Sequence, residues 1–104
     1  MFGFLKNLFS SRPATDYGQL LAEGGVIVDV RTRNEYAGGH VKGSLNFPLN
    51  ELGSNLGKLR KDHPIITCCA SGMRSGAAKS QLIAKGYTRV YNGGSWYNLK
   101  KYEK

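Results

Sequence analysis

One run of the sequence combines residue types and spacing that indicate covalent chemistry: Cys69-Ala70-Ser71-Gly72-Met73-Arg74-Ser75. It follows the apolar stretch Ile65 to Cys68, which predicts a buried strand, and it leads into a predicted helix over 75–85. Unpaired N–H groups and the dipole at a helix start favour an anion. Since free cysteine has a pKa of roughly 8.5, Cys69 is predicted to ionise readily there and to act as a nucleophile.

The rest of the run fits an anion site beside the sulfur. Gly72 allows the loop to curl so that its amides face inward, and Arg74 offers a fork of N–H donors. The predicted substrate-binding residues are Ala70, Ser71, Gly72, Met73, Arg74 and Ser75. The loop is therefore predicted to hold an anionic sulfur or phosphorus compound.

The two adjacent cysteines are predicted to differ. Cys68 belongs to the strand, and alternation sends its side chain to the opposite face from Cys69, so we expect Cys68 to pack in the core. A disulfide between sequence neighbours would be strained. The alternative for Cys69 is a small core residue at a strand end, which would require neither the glycine nor the arginine that follow.

From about residue 15 to residue 96 the chain resembles a single rhodanese-like domain. The matching pieces are Val26-Ile27-Val28-Asp29-Val30-Arg31, Glu35-Tyr36, Gly39-His40-Val41-Lys42-Gly43-Ser44, Asn46-Phe47-Pro48, the Cys69 loop, and Gly93-Gly94 with Trp96. The resemblance implies an α/β fold with a central, mostly parallel sheet flanked by helices. It also implies a sulfurtransferase, with Cys69 as the catalytic residue that carries sulfur as a persulfide.

The spacing inside the loop separates this resemblance from a related one. Four residues stand between Cys69 and Arg74, which resembles sulfur carriers, whereas five resemble the phosphatases and arsenate-reducing relatives of the same superfamily. The implied donor is a small anion such as thiosulfate or a persulfide, and the acceptor is cyanide, a thiol or a protein. The reaction requires no metal or organic cofactor. A partner-fed sulfur carrier or a protein-interaction module is the alternative function, and a small phosphatase or arsenate reductase is a third, which the loop length disfavours.

Several residues near the predicted site are interpreted as structural. A carboxylate at the end of a buried strand needs a partner, so we expect a salt-bridge network formed by Asp29, Arg31, Arg33 and Glu35. The resemblance implies that the motif of His40 shapes the neighbouring loop, although a catalytic role is the alternative. His63 is predicted to be a surface turn residue.

The length of 104 residues and 40% hydrophobic content predict one globular domain. The predicted elements alternate in type, which indicates a parallel sheet with right-handed crossovers. They are a helix after Thr15-Asp16 that Gly24-Gly25 ends, strand 26–30, strand 45–47, a weak helix over 49–59, the Cys69 strand, helix 75–85 with Ala78, Leu82 and Ile83 inward, and strand 89–92.

The two ends depart from the family pattern. We expect residues 1–14 to form an amphipathic extension and residues 15–104 the domain. Phe2, Leu5 and Phe9 share a helical face that can pack on the domain, touch a membrane or dock on a partner. The chain lacks a convincing signal peptide, so a cytoplasmic protein is expected, with export after removal of an unseen signal as the alternative. The last helix, after Trp96, is expected to be short or frayed.

The net charge of +8 comes from fifteen basic and seven acidic residues. A positive field would attract small anionic donors, and solubility is the simpler explanation. Nucleic-acid binding is not expected, because the cations are spread along the chain without a reader motif. Two adjacent cysteines cannot link distant segments, which is compatible with a reducing compartment. We expect a monomer.

Overall fold

Four parallel strands form the centre of the structure, a computed structural model that describes residues 15–104. They are β1 (Val26–Asp29), β2 (Leu45–Asn46), β3 (Ile65–Cys69) and β4 (Val90–Ser95), in the order β2-β1-β3-β4. Each neighbouring pair is parallel. The parallel α/β sheet predicted from the sequence is confirmed, and it places β3, which carries the cysteines, inside the sheet.

Helices connect the strands. They are α1 (Tyr17–Ala22), α2 (Arg33–Ala37), α3 (Leu52–Asn55) and α4 (Met73–Ala84), with 3-10 turns over Leu49–Glu51, Leu56–Lys58 and Trp96–Tyr102. Asp16 caps α1 as predicted, because its carboxylate accepts a hydrogen bond from the Gln19 amide. The weak helix predicted over 49–59 is broken into three short turns, as its glycines suggested. None of the helices within residues 15–104 is long and apolar enough to cross a membrane.

The two faces of the sheet carry separate parts of the core. One face packs Cys69 with residues that include Val28, Ile65 and Leu82. The opposite face packs Cys68 with residues that include Ile66 and Leu99. Because side chains alternate along a strand, the adjacent cysteines lie on opposite faces, as predicted. Both are free thiols.

The main helix differs from the prediction at its start and on one face. It begins at Met73 rather than Ser75, because Gly72 adopts a left-handed conformation (φ +105°) and serves as the N-cap. The prediction that Ile83 points inward is wrong: it is 52% exposed. The inward positions are Ser75, Ala78 and Leu82, which recur at intervals of three and four residues along one helical face.

Strand ends and termini show smaller differences. β1 stops at Asp29, one residue before the predicted end, and β4 runs on to Ser95, three residues past the predicted end. After Trp96 the chain forms a seven-residue 3-10 helix that buries Leu99, in place of a frayed end. The predicted extension of residues 1–14 lies outside the described residues.

Candidate active site

Cys69 is the last residue of β3 and lies just before α4. Parallel α/β sheets bind ligands beyond the carboxyl ends of their strands, which is where this side chain lies. Cys69 is only 1% exposed, whereas Ala70 and Ser71 in the loop are exposed and Met73 is 83% exposed. The thiol therefore lies at the base of the loop, beneath an exposed rim.

The sulfur of Cys69 occupies the place where the loop donors converge. The Gly72 amide donates a hydrogen bond to Sγ at 2.9 Å, and the Ser75 amide donates another at 3.4 Å. The Ser75 hydroxyl also lies 3.4 Å from Sγ. Burial alone would raise the pKa of Cys69, but the hydrogen bonds from the Ser75 side chain and from the amides of Ser75, Gly72 and Ser71 outweigh it and lower this pKa. The arrangement favours a thiolate, the nucleophilic form of cysteine.

Cys68 has the opposite environment. Burial, together with the nearby Asp29 carboxylate, raises the pKa of the Cys68 thiol far above its ordinary range. The residue is fully buried. The pKa values of the two adjacent cysteines thus shift in opposite directions, because the strand directs Cys68 into the core and Cys69 toward the hydrogen-bond donors of the loop.

Asn92 in β4 ties the loop and the helix start together, and the sequence analysis did not single it out. Its side-chain oxygen accepts hydrogen bonds from the Ser75 hydroxyl at 2.7 Å and from the Gly94 amide at 2.9 Å. Its side-chain nitrogen donates to the Gly72 carbonyl at 3.1 Å. No local sequence signal marks this role, because it depends on how β4 pairs with β3.

A bulge in β4 follows directly after Asn92. Thr67 of β3 lies opposite Asn92, yet Cys69 lies opposite Ser95, so β4 uses one extra residue over this interval. Gly93 fits because a Cβ there would lie 2.9 Å from side-chain atoms of both Ile66 and Leu99. The Gly93-Gly94 pair that supported the family resemblance therefore shapes the strand beside Cys69.

Arg74 is engaged by a carboxylate. Its Nη1 and Nη2 donate hydrogen bonds to the two carboxylate oxygens of Glu35, at 2.7 and 3.0 Å. Arg74, and after it the Thr32 amide, lower the pKa of Glu35 to about 2. Thr32 and Glu35 also form the capping box that begins α2, a helix that the sequence analysis missed although the Thr-x-x-Glu pattern is a known signal.

The predicted four-residue salt-bridge network is wrong in its membership. Arg31 and Asp29 form a buried pair, with Nη2 and Oδ2 2.8 Å apart, and Nε also donates to both carboxylate oxygens. Arg33 instead pairs with Glu51. Because the Arg31 fork already saturates the Asp29 carboxylate, Glu35 is free to turn toward Arg74 and Arg33 toward Glu51.

His40 makes contacts that favour the structural interpretation. Its ring stacks on Tyr36 with centroids 3.8 Å apart, and its Nδ1 is hydrogen-bonded to the Tyr36 carbonyl at 2.8 Å. His63 is half-buried in the turn that precedes β3. Neither ring is among the groups hydrogen-bonded to the sulfur of Cys69.

A family model for the rhodanese-like domain matches residues 13–100. The chain belongs to the rhodanese-like domain family. Curated relatives include the uncharacterized protein YqhL of Bacillus subtilis, 39% identical over 64% of this chain and 52% of its own length. The thiosulfate sulfurtransferase GlpE of Stutzerimonas stutzeri is 35% identical over 66% of this chain and 63% of its own length.

Solved structures of rhodanese-like proteins agree with this assignment. A rhodanese with anions from E. coli superposes with a TM-score of 0.67 and 33% identity, covering 71% of this chain and 89% of its own. The human single-domain sulfurtransferase TSTD1 gives a TM-score of 0.70 and 29% identity, covering 83% of this chain and 90% of its own. The rhodanese-like family and fold of this chain are thereby established. The aligned part spans little more than half of the length of the first curated relative.

Proposed function

We propose that this rhodanese-like domain transfers a sulfane sulfur through a persulfide on Cys69. The observation that carries the proposal is the Cys69 sulfur at the start of α4, accepting hydrogen bonds from the amides of Gly72 and Ser75. Such donors stabilise a thiolate before reaction and the terminal negative charge of a persulfide after it. Relatives named thiosulfate sulfurtransferase support the same chemistry.

The reaction has two half-reactions. In the first, the Cys69 thiolate attacks the outer sulfur of the donor, a new S–S bond forms, and the bond inside the donor breaks. Thiosulfate leaves as sulfite with the electron pair, and an alkyl persulfide leaves as a thiolate. In the second, cyanide or a thiolate attacks the terminal sulfur, Cys69 leaves as a thiolate, and thiocyanate or a new persulfide departs. No metal or organic cofactor takes part.

Four intervening residues between Cys69 and Arg74 support sulfur transfer over phosphate hydrolysis, because the resulting ring of amides is smaller than the ring formed by five residues.

We also propose that the protein is a monomer in the reducing cytoplasm, with the periplasm as the alternative. A reducing compartment keeps Cys69 from being lost to disulfides, so that the free thiolate stays available for the first half-reaction.

A partner-fed sulfur carrier is the second candidate, and the burial of Cys69 favours it. The residue is 1% exposed, so a donor must reach it past the loop rim. A docked protein can supply the contacts that open this rim, whereas a small free anion has few such contacts. In this case transfer from free thiosulfate would be slow and transfer from a persulfide-bearing protein fast.

Thiocyanate production from thiosulfate and cyanide tests the proposal. We expect turnover by the wild type, none by Cys69→Ser, and most of the wild-type rate from Cys68→Ala, which keeps a small apolar side chain in the core. Equal loss from both variants, with both folded by circular dichroism, would refute the separate roles of the two cysteines. Absence of wild-type turnover together with sulfur uptake from a persulfide would favour the partner-fed carrier.

A further inference from the structure

The arginine of the Cys69 loop has its charge balanced by a carboxylate, which changes what the site can bind. Arg74 and Glu35 form a two-pronged ion pair, and their side chains are 35% and 36% exposed. Glu35 is also held by the cap of its own helix, because the Thr32 amide and hydroxyl donate to Oε1 at 3.0 and 3.1 Å. The carboxylate is thus anchored both to the N-cap of α2 and to Arg74 at the start of α4.

The neighbouring arginines are also paired. Arg31 forms the buried ion pair with Asp29, and Arg33 forms an ion pair with Glu51. The amides of Gly72 and Ser75 are already directed at the sulfur of Cys69. Although the whole chain carries a net charge of +8, the groups beside the donor site within residues 15–104 supply no unbalanced arginine for a second anionic group.

Two of the exposed residues on the rim of the site are apolar, and they lie beside the polar Ser71. Met73 is 83% exposed, and Ala70 is exposed on the other side of Gly72. Neither of these apolar side chains can donate a hydrogen bond to the sulfonate end of thiosulfate, whereas the alkyl portion of an organic persulfide can pack on Met73. Charge balance and rim composition thus favour the same class of donor.

We propose that Glu35 is a specificity-determining residue that favours singly charged organic persulfides over the doubly charged thiosulfate ion. The proposal rests on the sulfur transfer proposed above and names its preferred donor class. The loading step is Cys69–S⁻ plus R–S–S⁻ giving Cys69–S–S⁻ plus R–S⁻. The sulfane sulfur moves, the S–S bond of the donor breaks, and its electron pair leaves with the thiolate.

Removing the negative charge of Glu35 should therefore strengthen the binding of anionic donors, and the effect should be larger for a donor that carries more charge. One unit charge near a water-exposed site changes the binding of a monoanion about threefold and that of a dianion about tenfold. In Glu35→Gln the amide oxygen can still accept from the Thr32 amide, so the start of α2 is preserved. Arg74→Gln makes the opposite change, because it leaves Glu35 unbalanced.

The experiment measures the rate at which Cys69 is loaded by thiosulfate and by cysteine persulfide in both variants. In Glu35→Gln the thiosulfate-to-persulfide rate ratio should rise about threefold, and in Arg74→Gln it should fall by a similar factor. Glu23→Gln is the matched control, since Glu23 forms a comparable surface pair with Arg89 and its loss changes the net charge equally. The ratio should not move in this control.

Alkylation provides a readout that does not depend on sulfur transfer. Iodoacetate is anionic and iodoacetamide is neutral, so their rate ratio at Cys69 reports the charge of the site. This ratio should rise about threefold in Glu35→Gln, and the rise should be smaller at high salt. The ratio should stay constant in Glu23→Gln. An unchanged ratio in Glu35→Gln, or an equal rise in the control, overturns the role of Glu35. If neither donor loads the wild type, the sulfur-transfer proposal fails instead, while the alkylation ratio still decides the charge role.

Discussion

The Ser75 hydroxyl is predicted to lower the pKa of Cys69, and Ser75→Ala tests this contribution. The hydroxyl lies 3.4 Å from Sγ and donates at 2.7 Å to Asn92, so it is shared between two acceptors. Hydrogen bonds to charged groups contribute about 1.5–3 kcal/mol, and a long, shared bond falls below that range, at about 1.4 kcal/mol or one pKa unit. The amide donors of Gly72 and Ser75 remain in the variant.

The assay is the pH dependence of Cys69 alkylation by iodoacetamide, which is neutral and reacts with the thiolate. We expect the midpoint of the profile to move up by about one pH unit in Ser75→Ala, with an undiminished rate at high pH. Ser80→Ala is the control, because Ser80 is an exposed residue of the same helix. An unchanged midpoint in Ser75→Ala, or the same movement in Ser80→Ala, would refute the reasoning.

Three further predictions concern stability. Gly93→Ala should destabilise the fold by about 1–3 kcal/mol, because its Cβ would collide with Ile66 and Leu99. Gly53→Ala is the control and should not destabilise the fold, because no atom lies within 4 Å of the added Cβ. Urea unfolding measures the stability of both variants. Asp29→Asn should lower the free energy of unfolding by about 3–5 kcal/mol, since it leaves the buried Arg31 cation without its counter-charge, and thermal melting checks this loss. Glu35, whose folded pKa of about 2 lies below its ordinary value of 4.5, should stabilise the fold above pH 4.5 and lose that contribution as the pH falls toward 2. Because the pair is about a third exposed, the loss should be under about 1 kcal/mol, and urea midpoints between pH 5 and 2 should lack it in Glu35→Gln.

The strand, loop and helix around Cys69 could be predicted because their signals are local. An apolar run, a glycine able to adopt positive φ, and a helix-forming stretch follow each other directly in the sequence. The same locality explains the correct placement of Cys68 on the opposite face. The helix begins at Met73, two residues before the predicted start, because its N-cap is Gly72, which offers no side-chain capping signal in the sequence.

The contacts that tune the site could not be predicted because they are long-range. Arg74 and Glu35 are 39 positions apart, and Ser75 and Asn92 are 17 apart. The first pair depends on the orientation of α2, and the second depends on the register in which β4 pairs with β3. Sequence spacing alone assigned Arg74 to an incoming anion and Glu35 to the salt-bridge network around Asp29, and only the packed structure brings Arg74 and Glu35 together.

Intact mass after exposure to donor tests the central claim most directly. The protein is incubated with thiosulfate or cysteine persulfide, desalted and weighed, and a proteolytic digest locates any modification. The account predicts a gain of one sulfur atom, located on Cys69, removed by cyanide and absent in Cys69→Ser. Sulfur found on Cys68, or no gain from either donor, would contradict it.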